Sequence, residues 1–372
     1  MNLPLENDLR CAVQRRSQTN SLAKGDMALV PPRDRSLGIS QSTDRGYNDS
    51  RSEVGTLTPS ILSAVEFASE PTPNGELSLE ARRYEANEAV NFGIASEDFP
   101  EALVLESSTV LIVDQRQWKP LYARQVHCKR SIASLTKLMT AMVVLDLGVT
   151  LDEWIQIALR DVDWLKRSSS RLKVGTKLKR YEMLRLALMA SENRAAAALA
   201  RTYPGGTKAF IKAMNDKAAK LQMLNTKFVD PTGLNPGNVS TAYDLAIMVN
   251  AAYDYALLRQ FTTGQSQDIA YKHRRAGRLV SFHNTNRLVY DNEWEIGISK
   301  TGYIREAGRC LVMQTVVANR PVIIVLLNSI KKQSRLADAE QVKRWLTNLK
   351  ITKADSPRNQ YGGFWPSADT IN

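Results

Sequence analysis

The chain has 372 residues, enough for one large domain or two ordinary domains with a sizeable core. Its content of 43% hydrophobic and 24% charged residues is typical of a soluble globular protein, and no apolar run reaches the roughly 18 residues of a transmembrane helix. The net charge of +12 favours an anionic partner. Basic and aromatic residues are not interleaved and no nucleic-acid-binding motif is present, which argues against nucleic acid as that partner.

Composition divides the chain into three parts. Residues 1–95 are rich in Ser, Asn, Asp, Arg, Pro and Gly. They predict a disordered or weakly structured extension, because so little apolar surface cannot offset the entropy of ordering. The first residues also lack the basic region and apolar core of a secretory signal. Residues 96–350 predict a folded domain, and residues 351–372 predict a loose polar tail.

Within the folded domain, the apolar pattern predicts strands, then a helical block, then strands and a last helix. The predicted strands cover residues 102–106, 110–114, 118–124, 154–157, 295–300, 310–318 and 322–328. The predicted helices cover residues 134–147, 181–189, 194–201, 207–222, a segment that begins after the N-cap Ser240, and residues 334–349. This order predicts an α/β (α+β) fold in which both ends of the domain form one sheet and an all-helical subdomain is inserted between them.

Cysteine and histidine are too sparse to indicate a metal site or a histidine-based catalytic site. The cysteines, Cys11, Cys128 and Cys310, show neither metal-ligand spacing nor a disulfide framework, and whether Cys128 and Cys310 pair stays open. With three histidines in the whole chain, a zinc site and a serine–histidine triad are poorly supported. The sequence therefore predicts neither a metal nor a cofactor.

A serine and a lysine three residues apart open the first predicted helix. Three residues are almost one helical turn, so the Ser134 hydroxyl and the Lys137 amine are expected on the same face. An apolar environment favours the neutral amine, which makes Lys137 a candidate general base beside a candidate nucleophile. Two other Ser-x-x-Lys runs, at residues 21–24 and 329–332, lack a helix that would desolvate the lysine.

Two more motifs supply side chains for a site around Ser134. Ser191 and Asn193 lie between two predicted helices, where a hydroxyl can pass a proton and an amide can hold both the lysine and a substrate carbonyl. The alternative is that Ser191 only caps the helix that follows. Lys300, Thr301 and Gly302 end a strand, where they can hold a carboxylate and let the strand edge approach a peptide; taken alone, they also fit an ordinary exit from a strand.

Together and in this order, Ser-x-x-Lys, Ser-x-Asn and Lys-Thr-Gly are the signature set of penicillin-binding proteins and β-lactamases. Residues 131–146, 228–234, 240–246 and 283–288 also resemble the low-molecular-mass penicillin-binding proteins, which are D-alanyl-D-alanine carboxypeptidases and endopeptidases. The resemblance covers about residues 101–350 and is closest to the endopeptidase type. It implies a β-lactamase/transpeptidase-like fold, with an antiparallel sheet, flanking helices and the inserted helical subdomain.

The resemblance also implies a role for each motif residue. Ser134 would be the acylated nucleophile and Lys137 its general base, while Ser191 and Asn193 would relay protons and orient the substrate. Substrate binding would fall to Lys300, Thr301 and Gly302, and the oxyanion hole to the backbone N–H groups of Ser134 and Tyr303. The implied substrate is the D-Ala-containing peptide of peptidoglycan, the implied covalent inhibitors are β-lactam antibiotics, and the implied location is the periplasm, although no signal peptide is visible.

Three alternatives within this family of folds require different residues or segments of the sequence. A class A β-lactamase needs a glutamate to activate the deacylating water, and residues 194–292 contain none; Asp230 is a poor replacement. A membrane-anchored carboxypeptidase usually carries a second β-rich domain, whereas only about twenty residues follow the last predicted helix. A degenerate peptidoglycan-binding protein would not need the complete set of motif side chains. We therefore expect a D-Ala–diaminopimelate endopeptidase, with the D-alanyl-D-alanine carboxypeptidase as the alternative.

Overall fold

The computed structural model describes residues 103–273 and 276–349. The strands are β1 (Thr109–Asp114), β2 (Lys119–Arg124), β3 (Arg130–Ser131), β4 (Trp154–Gln156), β5 (Lys177–Lys179), β6 (Val239–Ser240), β7 (Ser266–His273), β8 (Ala276–His283), β9 (Glu295–Ile304), β10 (Gly308–Val317) and β11 (Arg320–Ser329). The α-helices are α1 (Thr136–Asp146), α2 (Arg180–Met189), α3 (Asn193–Arg201), α4 (Gly206–Lys220), α5 (Ala242–Tyr253), α6 (Ala256–Thr263) and α7 (Ser334–Asn348). Short 3-10 turns at Ala133–Leu135, Leu159–Asp161 and Arg287–Tyr290 join several of them.

The central sheet has five antiparallel strands in the order β2-β1-β11-β10-β9. Two strands come from the beginning of the described chain and three from its end, and they meet where β1 pairs with β11, with Leu111 opposite Val325. The predicted sheet built from both ends is therefore confirmed. The apolar run of residues 322–327 is fully buried in the middle strand β11, as expected of a strand covered on both faces.

Side chains alternate between the two faces of the sheet and separate two cores. Leu111 on β1 and Val325 on β11 belong to the larger core, which packs the sheet against the helical block and α5. Ile112 and Leu326 point to the opposite face and pack against α7 through Val342. Helices thus cover both faces, and the edge strand β9 is left beside the helical block.

Two local predictions are wrong. Residues 103–106 of the strand predicted at residues 102–106 form no strand, because the backbone N–H groups of Glu106 and Ser107 donate to the carboxylate of Asp338 on α7 instead of to a neighbouring strand. The N-cap of α5 is Thr241, whose hydroxyl accepts from the Asp244 N–H at 3.1 Å, while Ser240 ends β6. Helix α6 and the β7–β8 hairpin were not predicted as elements.

The predicted extension and tail, and the Ser-x-x-Lys run at residues 21–24, lie outside the described residues. Cys310 is a free thiol buried in the larger core, so it does not pair with Cys128. Across residues 103–273 and 276–349, no helix combines the length and apolar character that crossing a membrane requires.

Candidate active site

Ser134 and Lys137 lie on consecutive turns at the start of α1. Ser134 is in the 3-10 turn Ala133–Leu135, and Lys137 is the second residue of the α-helix that continues from it. Lys137 Nζ lies 2.9 Å from Ser134 Oγ, within hydrogen-bonding distance. The structure therefore brings the predicted nucleophile and base into direct contact.

Lys137 is fully buried, and its amine has two further acceptors. Nζ donates to Asn193 Oδ1 at 2.8 Å and to the carbonyl oxygen of Thr232 at 2.6 Å. Burial lowers the pKa of Lys137 to about 7, although the charges of Asp230 and Glu192 oppose the shift. A large fraction of the amine is therefore neutral near pH 7 and able to accept the proton of the Ser134 hydroxyl.

The Thr232 carbonyl reaches Lys137 because the carboxylate of Asp230 organises the turn around it. Asp230 accepts hydrogen bonds from the backbone N–H groups of Thr232 at 2.6 Å, Gly233 at 2.8 Å and Asn235 at 2.8 Å. These bonds fill the lone pairs of the carboxylate and tie it to its own loop. The sequence analysis missed this contact, and the signal was present: Asp-Pro-Thr-Gly is a turn motif in which the aspartate binds backbone further along the chain.

Two glycines let the backbone close around the nucleophile. Gly233 has a φ of 81°, and a Cβ there would lie 1.8 Å from the Ala133 carbonyl oxygen. A Cβ on Gly302 would lie 3.1 Å from the Ile132 carbonyl oxygen and 3.2 Å from the Ser134 nitrogen. The turn that carries Ser134 is therefore held between the Asp230 loop and strand β9, so closely that a Cβ is excluded at Gly233 and would be tight at Gly302.

Ser191 faces the edge strand and does not cap the helix that follows it. The residue at the N-cap position of α3 is Glu192, with no side-chain capping bond. Ser191 has a left-handed φ of 58°, which turns its hydroxyl toward β9, where Oγ accepts from Lys300 Nζ at 3.0 Å. The capping alternative for Ser191 is therefore wrong.

Strand β9 presents the third motif at the open edge of the sheet. Lys300 is buried, and its Nζ also donates to the Thr301 carbonyl at 3.0 Å. Burial lowers the pKa of Lys300 well below its usual range, and the nearby charges of Lys137 and Arg335 act in the same direction. Thr301 Oγ1 donates to Thr285 Oγ1 at 2.7 Å. Among the described strands none pairs with the outer edge of β9, so this edge is available to an extended peptide.

Tyr303 follows Gly302 on β9. Its ring is exposed and lies under the Arg309 guanidinium, 4.5 Å from the ring centroid. Because Gly302 contacts the turn that carries Ser134, the backbone of Tyr303 lies next along the same edge.

Three side chains around the motif residues were missed. Ser168 accepts from Asn193 Nδ2 at 2.9 Å, Thr285 contacts Thr301, and Arg335 Nη1 approaches the Gly302 carbonyl at 3.4 Å. Thr285 lies within residues 283–288, which carry part of the family resemblance, whereas Ser168 and Arg335 stand in no recognisable pattern. No group of three or more His, Cys, Asp or Glu side chains that could hold a metal ion occurs in the part of the chain that the structure describes.

Comparison with known proteins places this geometry in a family. Residues 96–331 match the peptidase S11 family model, described as D-alanyl-D-alanine carboxypeptidase. The chain belongs to this family. The resemblance inferred from the three motifs is thereby confirmed, and with it membership in an enzyme family of serine peptidases that act on D-Ala-D-Ala.

Two relatives and one solved structure illustrate the likeness. The chain is 45% identical to the D-alanyl-D-alanine endopeptidase of Pseudomonas aeruginosa, over 69% of this chain and 82% of the relative. It is 44% identical to the D-alanyl-D-alanine endopeptidase of Escherichia coli K12, over 66% and 79%. The Streptomyces K15 DD-transpeptidase matches 66% of this chain and 98% of its own with a TM-score of 0.61 and 27% identity, which confirms the transpeptidase-like fold.

Proposed function

We propose that this chain is a serine D,D-peptidase that cleaves D-Ala–diaminopimelate cross-links of peptidoglycan through an acyl-enzyme on Ser134. The proposal rests above all on one contact: the fully buried Lys137, with a pKa of about 7, lies 2.9 Å from Ser134 Oγ. The endopeptidase names of the relatives at 44–45% identity support the choice of the cross-link as substrate.

In the acylation step, neutral Lys137 takes the proton of the Ser134 hydroxyl as Oγ attacks the carbonyl carbon of the scissile D-alanine. Asn193 and the Thr232 carbonyl keep Nζ in place during the transfer. The charge that develops on the carbonyl oxygen is stabilised by the backbone N–H groups of Ser134 and Tyr303. The C–N bond then breaks, and the proton passes through Lys137 and Ser191 to the leaving amine.

The edge of β9 binds the substrate. The peptide adds to β9 beside Gly302, and the carboxylate of the leaving residue binds Lys300 and the Thr301 hydroxyl. Arg335 places a cation next to this position, because its Nη1 lies 3.4 Å from the Gly302 carbonyl oxygen. We assign Lys300, Thr301 and Gly302 to substrate binding on this basis.

Water completes the reaction by releasing the acyl group from Ser134. With a peptide, the leaving half departs and opens space for that water. With a β-lactam, the expelled nitrogen remains tethered to the acyl group, and neither nearby carboxylate is free to activate water. Asp230 is tied to its own loop, and Glu192 accepts from Ser170 Oγ at 2.6 Å. We therefore propose that β-lactams act as slowly released covalent inhibitors.

The carboxypeptidase alternative is kept because the family model carries that description. Removal of a terminal D-alanine uses the same acyl-enzyme and differs only in the leaving group. A degenerate peptidoglycan-binding protein is disfavoured, because the hydrogen bonds that join Lys137 to Ser134 and Asn193 serve turnover and not mere binding. Since the substrate lies outside the inner membrane, we place the enzyme in the periplasm.

Digestion of purified cross-linked muropeptide dimers tests the substrate. We expect the protein to convert dimers into monomers, and Ser134→Ala to leave them intact. Loss of a terminal D-alanine from dimers that stay cross-linked would refute the endopeptidase function and establish the carboxypeptidase.

A further inference from the structure

The hydroxyl of Thr301 faces a second hydroxyl, which comes from a segment outside the three motifs. Thr301 Oγ1 donates to Thr285 Oγ1 at 2.7 Å, and Thr301 is buried while Thr285 is half-buried. A hydroxyl can rotate about its C–O bond, and a hydrogen-bond partner fixes where its proton points. The contact with Thr285 therefore determines the direction of the Thr301 proton in this structure.

The two neighbours of Thr285 in the chain hold it in place. Asn284 is buried, and its Nδ2 donates to the carbonyl oxygen of Gly264, the C-cap residue of α6, at 2.8 Å. Asn286 is also buried, and its Nδ2 donates to Ser299 Oγ on β9 at 2.8 Å. Thr285 is thus fixed between the end of α6 and strand β9.

The backbone of Thr285 also contacts the segment that carries Ser191. The Thr285 N–H donates to the carbonyl oxygen of Met189 at 3.1 Å, and Met189 ends α2 two residues before Ser191. Ser191 in turn accepts from Lys300 Nζ at 3.0 Å. Thr285 therefore touches the segments of both the Ser-x-Asn and the Lys-Thr-Gly motifs, and its hydroxyl faces the second.

The Thr285 hydroxyl can support Thr301 when a carboxylate binds. An ionised carboxylate only accepts hydrogen bonds, so Thr301 has to turn its proton away from Thr285 and toward the carboxylate. A hydroxyl both donates and accepts, so Thr285 can then donate to Thr301 Oγ1. Among the described residues the Thr285 hydroxyl donates to no other acceptor, which leaves its proton available for this exchange. A hydroxyl that accepts one hydrogen bond also becomes a better donor of the next.

We propose that Thr285 is a positioning residue that orients the Thr301 hydroxyl toward the carboxylate of the leaving residue. On binding, the hydrogen bond between the two threonines reverses, and a chain of bonds runs from Thr285 through Thr301 to the carboxylate. This inference rests on the proposed function, which assigns that carboxylate to Lys300 and Thr301.

Two cross-linked dimers that differ by one carboxylate test this role. The leaving residue is either diaminopimelate or lysine, which has the same side chain and the same reacting amine but no carboxylate beside it. Thr285→Val removes the hydroxyl, nearly keeps the shape and retains the N–H that contacts Met189. We expect this variant to raise KM for the diaminopimelate dimer roughly fivefold, as for one lost hydrogen bond, with little change in kcat. KM for the lysine dimer should change by less than about twofold.

A double-mutant cycle separates an effect through Thr301 from a structural effect. When Thr301→Val is already present, Thr285→Val should change KM by less than about twofold, because the hydroxyl that it orients is gone. Thr285→Ser restores the hydroxyl and should restore the wild-type KM. If urea unfolding shows that the valine variant is not folded, Thr285→Ala removes the same hydroxyl and takes its place in both assays.

Thr315→Val is the matched control. The buried Thr315 on β10 also contacts β9 through its hydroxyl, which donates to the Glu295 carbonyl at 2.7 Å, but it does so at the other end of that strand from Thr301. This variant should keep the wild-type KM for both dimers.

Three results would overturn this inference and leave the proposed function standing. They are an unchanged KM in Thr285→Val, a similar rise in KM for both dimers, and a rise that is equally large in the Thr301→Val background. A Thr285→Ser variant that behaves like Thr285→Val would overturn it as well. A wild type that cleaves neither dimer would overturn the proposed function and this inference with it.

Discussion

At the residue scale, the central feature is a lysine whose surroundings make it a base. Lys137 is fully buried, and two of the three groups that it contacts are carbonyl oxygens, from Asn193 and Thr232. A carbonyl cannot donate a proton to the neutral amine, so the one exchangeable proton within this set belongs to Ser134. The geometry therefore directs proton transfer from Ser134 to Lys137.

The pKa of Lys137 predicts the pH dependence of acylation. Only the neutral amine accepts the Ser134 proton, so below pH 7 the rate should rise about tenfold per pH unit, and it should level off above pH 7. Stopped-flow acylation by a penicillin between pH 5 and 8.5 measures this profile. A rate that does not change across that interval would contradict the assignment of Lys137 as the base.

The motif side chains could be predicted from the sequence, and their partners could not. Ser134, Lys137, Ser191 and Lys300 belong to short patterns whose residue types limit the chemistry. The Thr232 carbonyl is a backbone group: the Asp-Pro-Thr-Gly motif predicts its turn, but nothing in the motif shows that this carbonyl reaches Lys137. Ser168 contributes a hydroxyl from a loop, and only the three-dimensional course of that loop brings it to Asn193.

At the element scale, the turn that carries Ser134 is held from two sides by glycine. Gly233 from the Asp230 loop and Gly302 from β9 both approach this turn. The 3-10 turn itself begins with Ala133 at a left-handed φ of 47°. The position of the nucleophile thus depends on close backbone packing as well as on its own helix.

Gly233→Ala tests this packing. A left-handed alanine costs about 1–2 kcal/mol, and the clash with the Ala133 carbonyl adds to it, so we expect a loss of more than about 3 kcal/mol of unfolding free energy. Covalent labelling of this variant by a fluorescent penicillin should also fall. Urea unfolding measures the loss of stability, and the fluorescence of the labelled protein on a gel measures the loss of labelling.

Gly148→Ala is the matched control for this variant. Gly148 has a φ of 67°, but a Cβ there meets nothing within 4 Å. Gly148→Ala should therefore lose only about 1–2 kcal/mol of unfolding free energy, which is the cost of the left-handed conformation, and keep normal labelling by penicillin. Equal losses for the two variants would show that the contact between Gly233 and Ala133 does not support the turn.

Elements with one strong pattern were predicted, and elements of mixed character were missed. Strand β11 is apolar along residues 322–327, the pattern of a strand that is covered on both faces. The hairpin β7–β8 is largely polar, with Ile269 and Tyr271 among its few core side chains, so its alternation is weak in sequence. Helix α6 has eight residues, too few to establish a helical period.

At the scale of the whole molecule, the first and last segments of the domain are joined by direct contacts. Beyond the pairing of β1 with β11, the Asp338 carboxylate on α7 accepts from Ser107 Oγ at 2.6 Å, Ser107 N at 2.8 Å and Glu106 N at 2.9 Å. Ser107 and Asp338 are both buried. This contact joins the segment before β1 to helix α7 at the edge of the smaller core.

Asp338→Ala should therefore destabilise the domain. Buried donors at Ser107 would lose their acceptor, which costs about 2–3 kcal/mol of unfolding free energy by urea titration. Glu293→Ala is the control, because Glu293 forms an exposed ion pair with Lys343 at 3.3 Å and should change stability by less than about 1 kcal/mol. If both variants unfold at the wild-type urea midpoint, the contact of Asp338 with Ser107 contributes nothing to stability.

The architecture could be predicted from the order of elements, whereas the register of the strand pairs could not. Strands at both ends of a long helical block predicted one sheet with an inserted all-helical subdomain. The strand order confirms the sheet, whereas the insert is not all-helical, because it also contains the strand pairs β4–β5 and β7–β8. The register of β1 against β11 joins residues more than two hundred positions apart. No local pattern determines such a register, since it depends on how the two cores pack.

Covalent labelling tests the central claim most directly. The purified chain is treated with a penicillin, digested with trypsin and analysed by mass spectrometry, alongside Ser134→Ala. We predict one adduct with the mass of the intact drug on the peptide of residues 131–137, located at Ser134, and no adduct in the variant. An adduct on another residue, or one that persists in Ser134→Ala, would contradict the assignment of Ser134 as the nucleophile.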